Sequence, residues 1–309
     1  MKTLIVGQGA IGLLWYSQLK IKTKQAVQLL PSERYNIEEK HVNFTDNHGS
    51  HHNIPLQLAN SNFIRDCELV LLCVKAFHIP DALTRISKLI SPSCIIVLCH
   101  NGMLSDAQVD TALTEGQTVI SMMVTHGSKK TAALSIVHTG IGQIDLGVRK
   151  GEISNNTTST LIAHLSTALA PISWHDNIKA MQWQKLAVNC VINPICAIND
   201  ASNKEVLKEK YQQNINDILN EFIAVANAHD VLFELASLKQ VVLNVAQLTG
   251  DNICSTLADI RAHRQSEIDY LNGFICREGE ALGIATPMNK SMWQRVRRLT
   301  EVGIKDDKL

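Results

Sequence analysis

The sequence lacks three features: an excess of charge of one sign, paired cysteine motifs and a long hydrophobic run. Lys and Arg total 29, as do Asp and Glu, so the bulk charge does not suggest a nucleic-acid or anionic-membrane partner. The eight cysteines form no Cys-x-x-Cys motif, and no apolar stretch approaches the ~18 residues of a membrane span. The chain also begins without the apolar core of a signal peptide. We therefore expect a cytoplasmic, soluble protein with reduced cysteines.

A glycine-rich turn follows the first short β-rich run. Thr3–Val6 reads as a strand, and Leu13–Lys20 reads as a helix. Between them, Gly7 permits a tight turn, Gly9 lets the backbone approach a pyrophosphate, and Gly12 lets helix and strand pack closely. The phosphates would lie at the helix N-terminus, where free N–H groups favour anions. The pattern predicts a dinucleotide-binding turn made of Gly7, Gln8, Gly9, Ala10, Ile11 and Gly12.

The end of the second predicted strand bears on the choice of cofactor. An acid at this tip would bind the ribose 2′-hydroxyl of NAD, but Ala26–Leu30 runs into Pro31 and Ser32 first. Ser32 and Arg34 would instead receive a 2′-phosphate, which favours NADP(H). Glu33 keeps NAD open as an alternative.

Strands and helices then alternate along the first half of the chain. The predicted strands are Glu68–Val74, Cys94–Cys99 and Thr118–Val124, and the predicted helices are Ile79–Ile90 and Asp106–Leu113. This alternation predicts an α/β fold with a parallel, doubly wound sheet of the Rossmann type. Ligands bind such sheets beyond the carboxyl ends of the strands. We expect Lys75, Asn101, Thr125 and His126 there, because each closely follows a strand.

Shorter patterns predict additional β-structure around this sheet. A hairpin is expected from Val42–Phe44 and Ile54–Leu56, and a second from Leu134–Val137 and Gln143–Leu146. Pro171–Trp174 would be a last edge strand. We interpret the histidines at 48, 51 and 52 as a polar turn, since further ligands at zinc-like spacing are lacking, and we expect no metal site.

Strand signals fade in the second half. The predicted helices are Ile178–Ile198, Asn214–Asn227, Leu238–Thr249 and Ile268–Leu282. With 309 residues the chain is long enough for two cores. We predict a dinucleotide-binding domain at 1–175 and an all-helical substrate domain at 176–309, with a kink at Pro194 in its first helix.

A polar stripe runs along that first helix. Lys185, Asn189 and Asn193 recur every four residues and therefore share one face, while nearly every other position is apolar. Buried amide and ammonium groups cost free energy unless they are satisfied, and a bound polar ligand would satisfy them. The alternative is that Lys185 extends to solvent and that the two amides bond neighbouring backbone groups.

Glu267 is the second candidate acid or base. Ser266 and Asp269 have the spacing of a capping box, which would put Glu267 in the first turn of the helix Ile268–Leu282. There it would be either a surface acid that compensates the helix dipole or part of a site.

Several motifs together resemble the ketopantoate reductase (2-dehydropantoate 2-reductase) family. Besides the glycine turn they are Val-Lys-Ala at 74–76, His-Asn-Gly-Met at 100–103, Lys-Leu-Ala-Val-Asn-Cys-Val-Ile-Asn-Pro at 185–194 and Ser-Glu-Ile-Asp-Tyr-Leu-Asn-Gly at 266–273. They occur in family order with family-like spacing. The resemblance extends from the first strand to about Pro287.

The resemblance implies NADPH-dependent reduction of 2-dehydropantoate to (R)-pantoate, a step of pantothenate and coenzyme A biosynthesis. It makes Lys185 the general acid and Glu267 the carboxylate that orients substrate and lysine. The implied substrate-binding residues are Asn101, Asn189, Asn193, Asn203 and Ser255. The implied cofactor contacts are Gly7, Gly9, Gly12, Lys75 and Asn101. The family commonly has an arginine at the second strand tip, where this chain has Pro31 and Ser32.

Two other functions remain open. Other two-domain dehydrogenases that act on hydroxy acids or opines also carry a lysine on a helix, and the substrate that is turned over would distinguish them. A non-enzymatic NADP(H) sensor would not need the Lys185 and Glu267 pair. The oligomeric state, monomer or homodimer, is not predicted by the sequence.

Overall fold

The computed structural model describes residues 1–32, 38–110, 113 and 116–306, with side chains to residue 301. These residues form two compact units. The first contains Met1–His100 and Ser105–Ile178, and the second contains Asn101–Leu104 and the chain from Lys179 onward.

The first unit is built on two sheets. Its strands are β1 (Thr3–Val6), β2 (Val27–Leu30), β3 (His41–Thr45), β4 (His51–Pro55), β5 (Leu69–Leu72), β6 (Ile95–Leu98), β7 (Val119–Val124), β8 (Gly127–Ala132), β9 (Ser135–Gly140), β10 (Ile144–Lys150) and β11 (Ile172–Trp174). Its helices are α1 (Ala10–Lys22), α2 (Ser61–Arg65), α3 (Ile79–Ser87), α4 (Asp106–Asp110) and α5 (Asn155–Ala168). The main sheet has the order β11-β10-β7-β6-β5-β1-β2, and the smaller one β4-β3-β9-β8.

The main sheet confirms the predicted doubly wound α/β fold. Strands β7, β6, β5, β1 and β2 are parallel, and the chain leaves β1 first for β2 and later for β5 on the opposite side. Strands β1, β5 and β6 are buried throughout, as their continuous apolar sequences require when both faces are covered. This order makes the carboxyl end of β1 the switch point, where the glycine turn begins.

One predicted hairpin is confirmed and the other is wrong. β3 and β4 pair antiparallel as expected. The segments Leu134–Val137 and Gln143–Leu146 do not pair with each other, because β9 pairs with β8 in the small sheet and β10 pairs with β7 in the main sheet. The sequence of β8 contains two exposed lysines and lacks the alternating apolar pattern of a strand, so β8 is not predicted as the partner of β9. The predicted edge strand is confirmed as β11, beside β10.

The second unit is helical, as predicted. Its α-helices are α6 (Ile178–Ile198), α7 (Gln212–Ala228), α8 (Leu235–Leu248), α9 (Ser255–Arg261), α10 (Asn272–Leu282) and α11 (Pro287–Asp306), with 3₁₀ turns at Asn203–Leu207, Glu209–Tyr211 and Ile268–Tyr270. Trp183, 1% exposed, packs edge-on against Phe222 and Phe274 in its core. No helix in the described part of the chain has the length and apolar character to cross a membrane.

The predicted capping box at Ser266 is wrong. The 3₁₀ turn Ile268–Tyr270 ends at Leu271, whose backbone (φ −106°, ψ −106°) is not helical, and α10 starts only after it. The Asp269 carboxylate accepts a hydrogen bond from Trp293 Nε1 at 2.6 Å. Ser266 therefore does not begin the long helix. Glu267 is 4% exposed, which excludes the interpretation of a surface acid.

A buried asparagine compensates for the proline inside α6. Pro194 has no N–H, so the carbonyl of Cys190, four residues earlier, lacks its normal helical donor. Asn272 Nδ2 donates to this carbonyl at 2.9 Å and to Asn289 Oδ1 at 3.0 Å. Asn289 Nδ2 in turn donates to Glu221 at 2.8 Å. This network joins four helices of the second unit inside its core.

We predict that Asn272→Ala lowers the free energy of unfolding by about 1–3 kcal/mol, because it leaves the Cys190 carbonyl buried without its donor. Urea unfolding followed by tryptophan fluorescence measures the loss. The control is Asn227→Ala, at an exposed position of α7, for which we expect a change within about 0.5 kcal/mol. Equal small changes in both variants would show that the Cys190 carbonyl does not depend on Asn272.

Candidate active site

The glycine turn of the first unit has the backbone geometry that close approach to a ligand requires. Gly7 has φ +103°, and a Cβ on Gly12 would lie 2.1 Å from the Gly7 carbonyl oxygen. Both positions therefore exclude a side chain. Gly9 is exposed, and a Cβ there would lie no nearer than 3.7 Å to any described protein atom. Gly9 precedes α1 without a side-chain cap, so the helix N-terminus can receive an anion.

Gln8 connects this turn to the tip of β2. Its Oε1 accepts a hydrogen bond from the Ser32 backbone N–H at 3.0 Å, and its Nε2 donates to Ser32 Oγ at 3.1 Å. The carbonyl oxygen of Gln8 accepts from Lys130 Nζ at 3.0 Å. Ser32 is thus fixed beside the turn, as a ribose-binding residue would be. Arg34, the other predicted 2′-phosphate ligand, lies outside the described residues.

The remaining predicted groups of this unit follow β5 and β7. Lys75 is half-buried, and its carbonyl accepts from His78 N–H at 2.8 Å in the short turn after β5. The Thr125 hydroxyl donates to the Gln143 carbonyl and accepts from the Gln143 N–H, at 3.0 and 2.7 Å. His126 contacts His138 at 3.2 Å, and burial lowers the pKa of both rings, which favours their neutral forms. Thr125 and His126 therefore have structural partners of their own.

In the second unit, α6 presents the predicted polar stripe. Lys185 and Asn189 are half-buried and Asn193 is 5% exposed. The carbonyl of Asn193 accepts from Cys254 Sγ at 3.7 Å, and the same sulfur accepts from Leu257 N–H at 3.4 Å as the N-cap of α9. This contact places the exposed Ser255, the first residue of α9, next to the end of the stripe.

The side-chain amide of Asn203 is hydrogen-bonded through its nitrogen but not through its oxygen among the described residues. Its Nδ2 donates to Thr249 Oγ1 at 2.9 Å, and its backbone N–H donates to the Asn252 carbonyl at 3.0 Å. Its Oδ1 is buried and has no hydrogen-bond partner in the described part of the chain. A buried amide oxygen of this kind can accept a hydrogen bond from a ligand hydroxyl. Thr249 was not among the predicted site residues, because it ends a helix without a recognisable motif.

Asn101 belongs to the second unit although the chain around it belongs to the first. Its Nδ2 donates to Glu267 Oε2 at 3.4 Å. The main chain reinforces the contact, since Met103 N–H donates to the Tyr270 carbonyl at 2.8 Å. Gly102, with φ +76°, permits this approach, because a Cβ there would lie 2.4 Å from the Tyr270 oxygen. The structure thus brings together two predicted groups that are 166 residues apart.

The predicted residues therefore form two sets. The set in the first unit is an anion-binding turn joined to the β2 tip. The set in the second contains a lysine, a buried carboxylate, amides and a hydroxyl, which are side-chain types that acid–base reactions on polar substrates use. Among the residues that the structure describes, no cluster of three or more His, Cys, Asp or Glu side chains could hold a metal ion.

We predict that Gly9→Ala weakens dinucleotide binding at least about tenfold without lowering the thermal unfolding midpoint. The added methyl group would lie no closer than 3.7 Å to any atom that the structure describes outside the neighbouring residues, but it occupies the space through which a pyrophosphate approaches the turn. Titration calorimetry and a thermal melt test the two parts. Unchanged affinity would mean that the phosphates do not approach Gly9.

Comparison with known proteins identifies the family of this chain. The family profile described as "Ketopantoate reductase PanE/ApbA" matches residues 3–151, and the corresponding C-terminal profile matches residues 177–300. A curated relative, 2-dehydropantoate 2-reductase of Shigella flexneri, is 33% identical over 298 residues, which cover 96% of this chain and 95% of the relative.

Two solved structures share the fold over nearly the full length. A PanE/ApbA family ketopantoate reductase from Ralstonia eutropha JMP134 superimposes with a TM-score of 0.86 at 24% identity, covering 98% of this chain and 99% of that one. D-mandelate dehydrogenase in complex with NADH and anilino(oxo)acetate gives 0.87 at 21% identity, with coverages of 97% and 99%. The profiles match both halves of the sequence, and the chain therefore belongs to the ketopantoate reductase family.

Proposed function

We propose that this protein reduces 2-dehydropantoate to (R)-pantoate with NADPH, a step of pantothenate and coenzyme A biosynthesis. The observation that carries the proposal is the buried carboxylate of Glu267, which accepts a hydrogen bond from Asn101 in the unit that also carries Lys185. Removing a carboxylate from water costs free energy, so a carboxylate that is kept buried among polar groups is a candidate for a chemical role. The family membership and the 33% identical 2-dehydropantoate 2-reductase support the same activity.

The first unit, within residues 1–175, would hold the cofactor. The open N-terminus of α1 and the fixed Ser32 fit a dinucleotide with a phosphorylated ribose. We assign cofactor binding to Gly7, Gln8, Gly9, Ala10, Ile11, Gly12, Ser32, Arg34, Lys75 and Asn101. When bound, the nicotinamide supplies the hydride.

Lys185 and Glu267 would perform the acid–base chemistry, within residues 176–309. Reduction of a 2-keto acid leaves negative charge on the former carbonyl oxygen, and an ammonium group beside it both stabilises that charge and donates the proton. We assign that role to Lys185 Nζ. Glu267 would orient the substrate and the lysine, while Asn101 fixes one of its carboxylate oxygens.

Amide and hydroxyl groups would position the substrate. Asn side chains bind a carboxylate or a hydroxyl by donating and accepting without adding charge. The Oδ1 atom of Asn203 suits the hydroxyl of 2-dehydropantoate, since its Nδ2 is already held by Thr249. We assign substrate binding to Asn101, Asn189, Asn193, Asn203 and Ser255.

The alternatives are a related hydroxy-acid or opine dehydrogenase and a non-enzymatic NADP(H) sensor. The family membership favours a reductase over both. A small 2-keto acid is the partner that the chemistry requires, and we propose that the protein works in the cytoplasm as a monomer or a homodimer.

NADPH oxidation measured with 2-dehydropantoate tests the function. The matched control substrate is 3,3-dimethyl-2-oxobutanoate, which lacks only the hydroxyl group. We expect its kcat/KM to be at least about tenfold lower, because it leaves the buried Oδ1 of Asn203 without a donor. NADH in the parallel assay should also give at least about a tenfold lower kcat/KM. Turnover of other hydroxy acids or keto acids in preference to 2-dehydropantoate would contradict the proposed substrate.

We predict that Lys185→Ala lowers kcat by roughly 10²–10⁴, the range for a lost general acid, and leaves the Kd of NADPH close to that of the wild type. Lys179→Ala, which removes an exposed lysine from the same helix, is the control and should retain wild-type kcat. Steady-state kinetics and calorimetry provide the values. A Lys185→Ala variant with more than a tenth of the wild-type kcat would show that Lys185 is not the acid.

A double-mutant cycle should show that Glu267 acts with Lys185. Glu267→Gln alone is expected to raise KM and lower kcat, because it removes a charge-assisted contact that strengthens as the carbonyl becomes an alcohol. The double variant should be hardly worse than Lys185→Ala alone, since residues that act as a unit are strongly non-additive. If the losses of the two single variants add up in the double variant, Glu267 and Lys185 act independently, and the role proposed for Glu267 is contradicted.

A further inference from the structure

The tip of β2 is held in a defined position by hydrogen bonds. The residues described there are Pro31 and Ser32, neither of which is an arginine. The Ser32 N–H and Oγ are both bonded to the Gln8 side chain. In the second of these bonds Gln8 Nε2 is the donor, so the Ser32 hydroxyl proton points to another acceptor. Ser32 is exposed, and an anion at the tip can therefore receive this proton.

A guanidinium group reaches the same tip from a different part of the chain. Arg85, half-buried on α3, donates from Nη1 to the Pro31 carbonyl oxygen at 2.7 Å. The Pro31 carbonyl and the Ser32 N–H belong to the same peptide group. Arginine carries five N–H groups in a rigid fork that matches phosphate geometry. The bond therefore fixes the cation within one peptide group of the Ser32 backbone nitrogen.

A second cation approaches from the small sheet. Lys130, on β8, donates from Nζ to the Gln8 carbonyl oxygen at 3.0 Å. Strand β8 is held over the turn by a further bond, from Ser128 Oγ to the Ala10 carbonyl at 3.1 Å. Successive side chains of a strand point to opposite faces, so Lys129 points away from the turn.

Both cations are bonded to the backbone of the Gln8–Ser32 pair or of the residue next to it. Arg85 contacts the residue before Ser32, and Lys130 contacts Gln8 itself. A phosphate monoester carries about −1.5 to −2 charges at pH 7, which two cations and a hydroxyl donor complement. The residue at the tip of the second strand of such folds is the one that contacts the 2′ position of the adenine ribose.

We propose that Arg85 and Lys130, together with Gln8 and Ser32, bind the 2′-phosphate of NADPH, in the role of the arginine that the family commonly has where this chain has Pro31 and Ser32. This inference rests on the proposed function, because it assumes that the first unit binds a nicotinamide dinucleotide. It adds that selectivity for the phosphorylated cofactor comes from α3 and β8 as well as from the strand tip.

Titration calorimetry with NADP+ and NAD+ tests the inference on the full-length chain. Arg85→Gln and Lys130→Gln should each weaken NADP+ binding by about tenfold or more, and should change the Kd of NAD+ by less than about twofold. Arg85→Lys should retain part of the NADP+ preference, because it keeps the charge but loses the fork. The NAD+ affinity also reports whether the glycine turn remains folded in each variant.

The chain offers matched controls for both cations. Lys88→Gln removes an exposed charge adjoining α3, and Lys129→Gln removes one from β8, and neither should alter the affinity for NADP+. Equal weakening of NADP+ and NAD+ in the Arg85 and Lys130 variants, or no weakening, would overturn this inference and leave the reductase function standing. A wild-type chain that binds neither dinucleotide would overturn the proposed function and this inference with it.

Discussion

In the second unit, one buried hydrogen bond compensates for the interruption of α6, from the amide of Asn272 to the carbonyl of Cys190. This carbonyl directly follows Asn189 in the middle of α6. It lacks its normal helical donor, because Pro194, four residues later, has no N–H. The replacement donor lies on α10, shortly after Glu267, and is itself held by Asn289 of α11. The helix with Lys185 is therefore fixed to the segment with Glu267 by a buried polar bond, which determines the register between them more strictly than apolar packing alone.

Features that depend on local chemistry could be predicted from the sequence. The glycine turn is one, because φ +103° at Gly7 and the close approach at Gly12 demand glycine at fixed spacing. The buried strands β1, β5 and β6 and the helices α6, α7, α8 and α10 are likewise recognisable from their apolar patterns, whereas α9 and α11 are not among the predicted helices. The stripe of Lys185, Asn189 and Asn193 followed from helical periodicity. The structure adds the partner of the stripe, since Cys254 of α9 bonds the backbone of Asn193.

Features that depend on distant contacts could not be predicted in the same way. Strand β8 has the sequence Gly-Ser-Lys-Lys-Thr-Ala, whose exposed lysines give no strand signal, so Leu134–Val137 was paired with the wrong partner. The same strand supplies Lys130 to the glycine turn. Ser266 and Asp269 had the spacing of a cap, but the Asp269 carboxylate is bonded to Trp293, 24 residues away. In each case a tertiary contact outweighed a local pattern.

The short segment Asn101–Leu104 has a consequence for the modularity of the chain. It packs with the second unit, through Met103 and Tyr270, but it is covalently part of the first half of the sequence. A fragment that starts at Lys179 would thus lack the main-chain partner of Tyr270 and the amide that bonds Glu267. The two halves are not interchangeable modules, and exchanging the helical half between relatives would also require exchanging this four-residue segment.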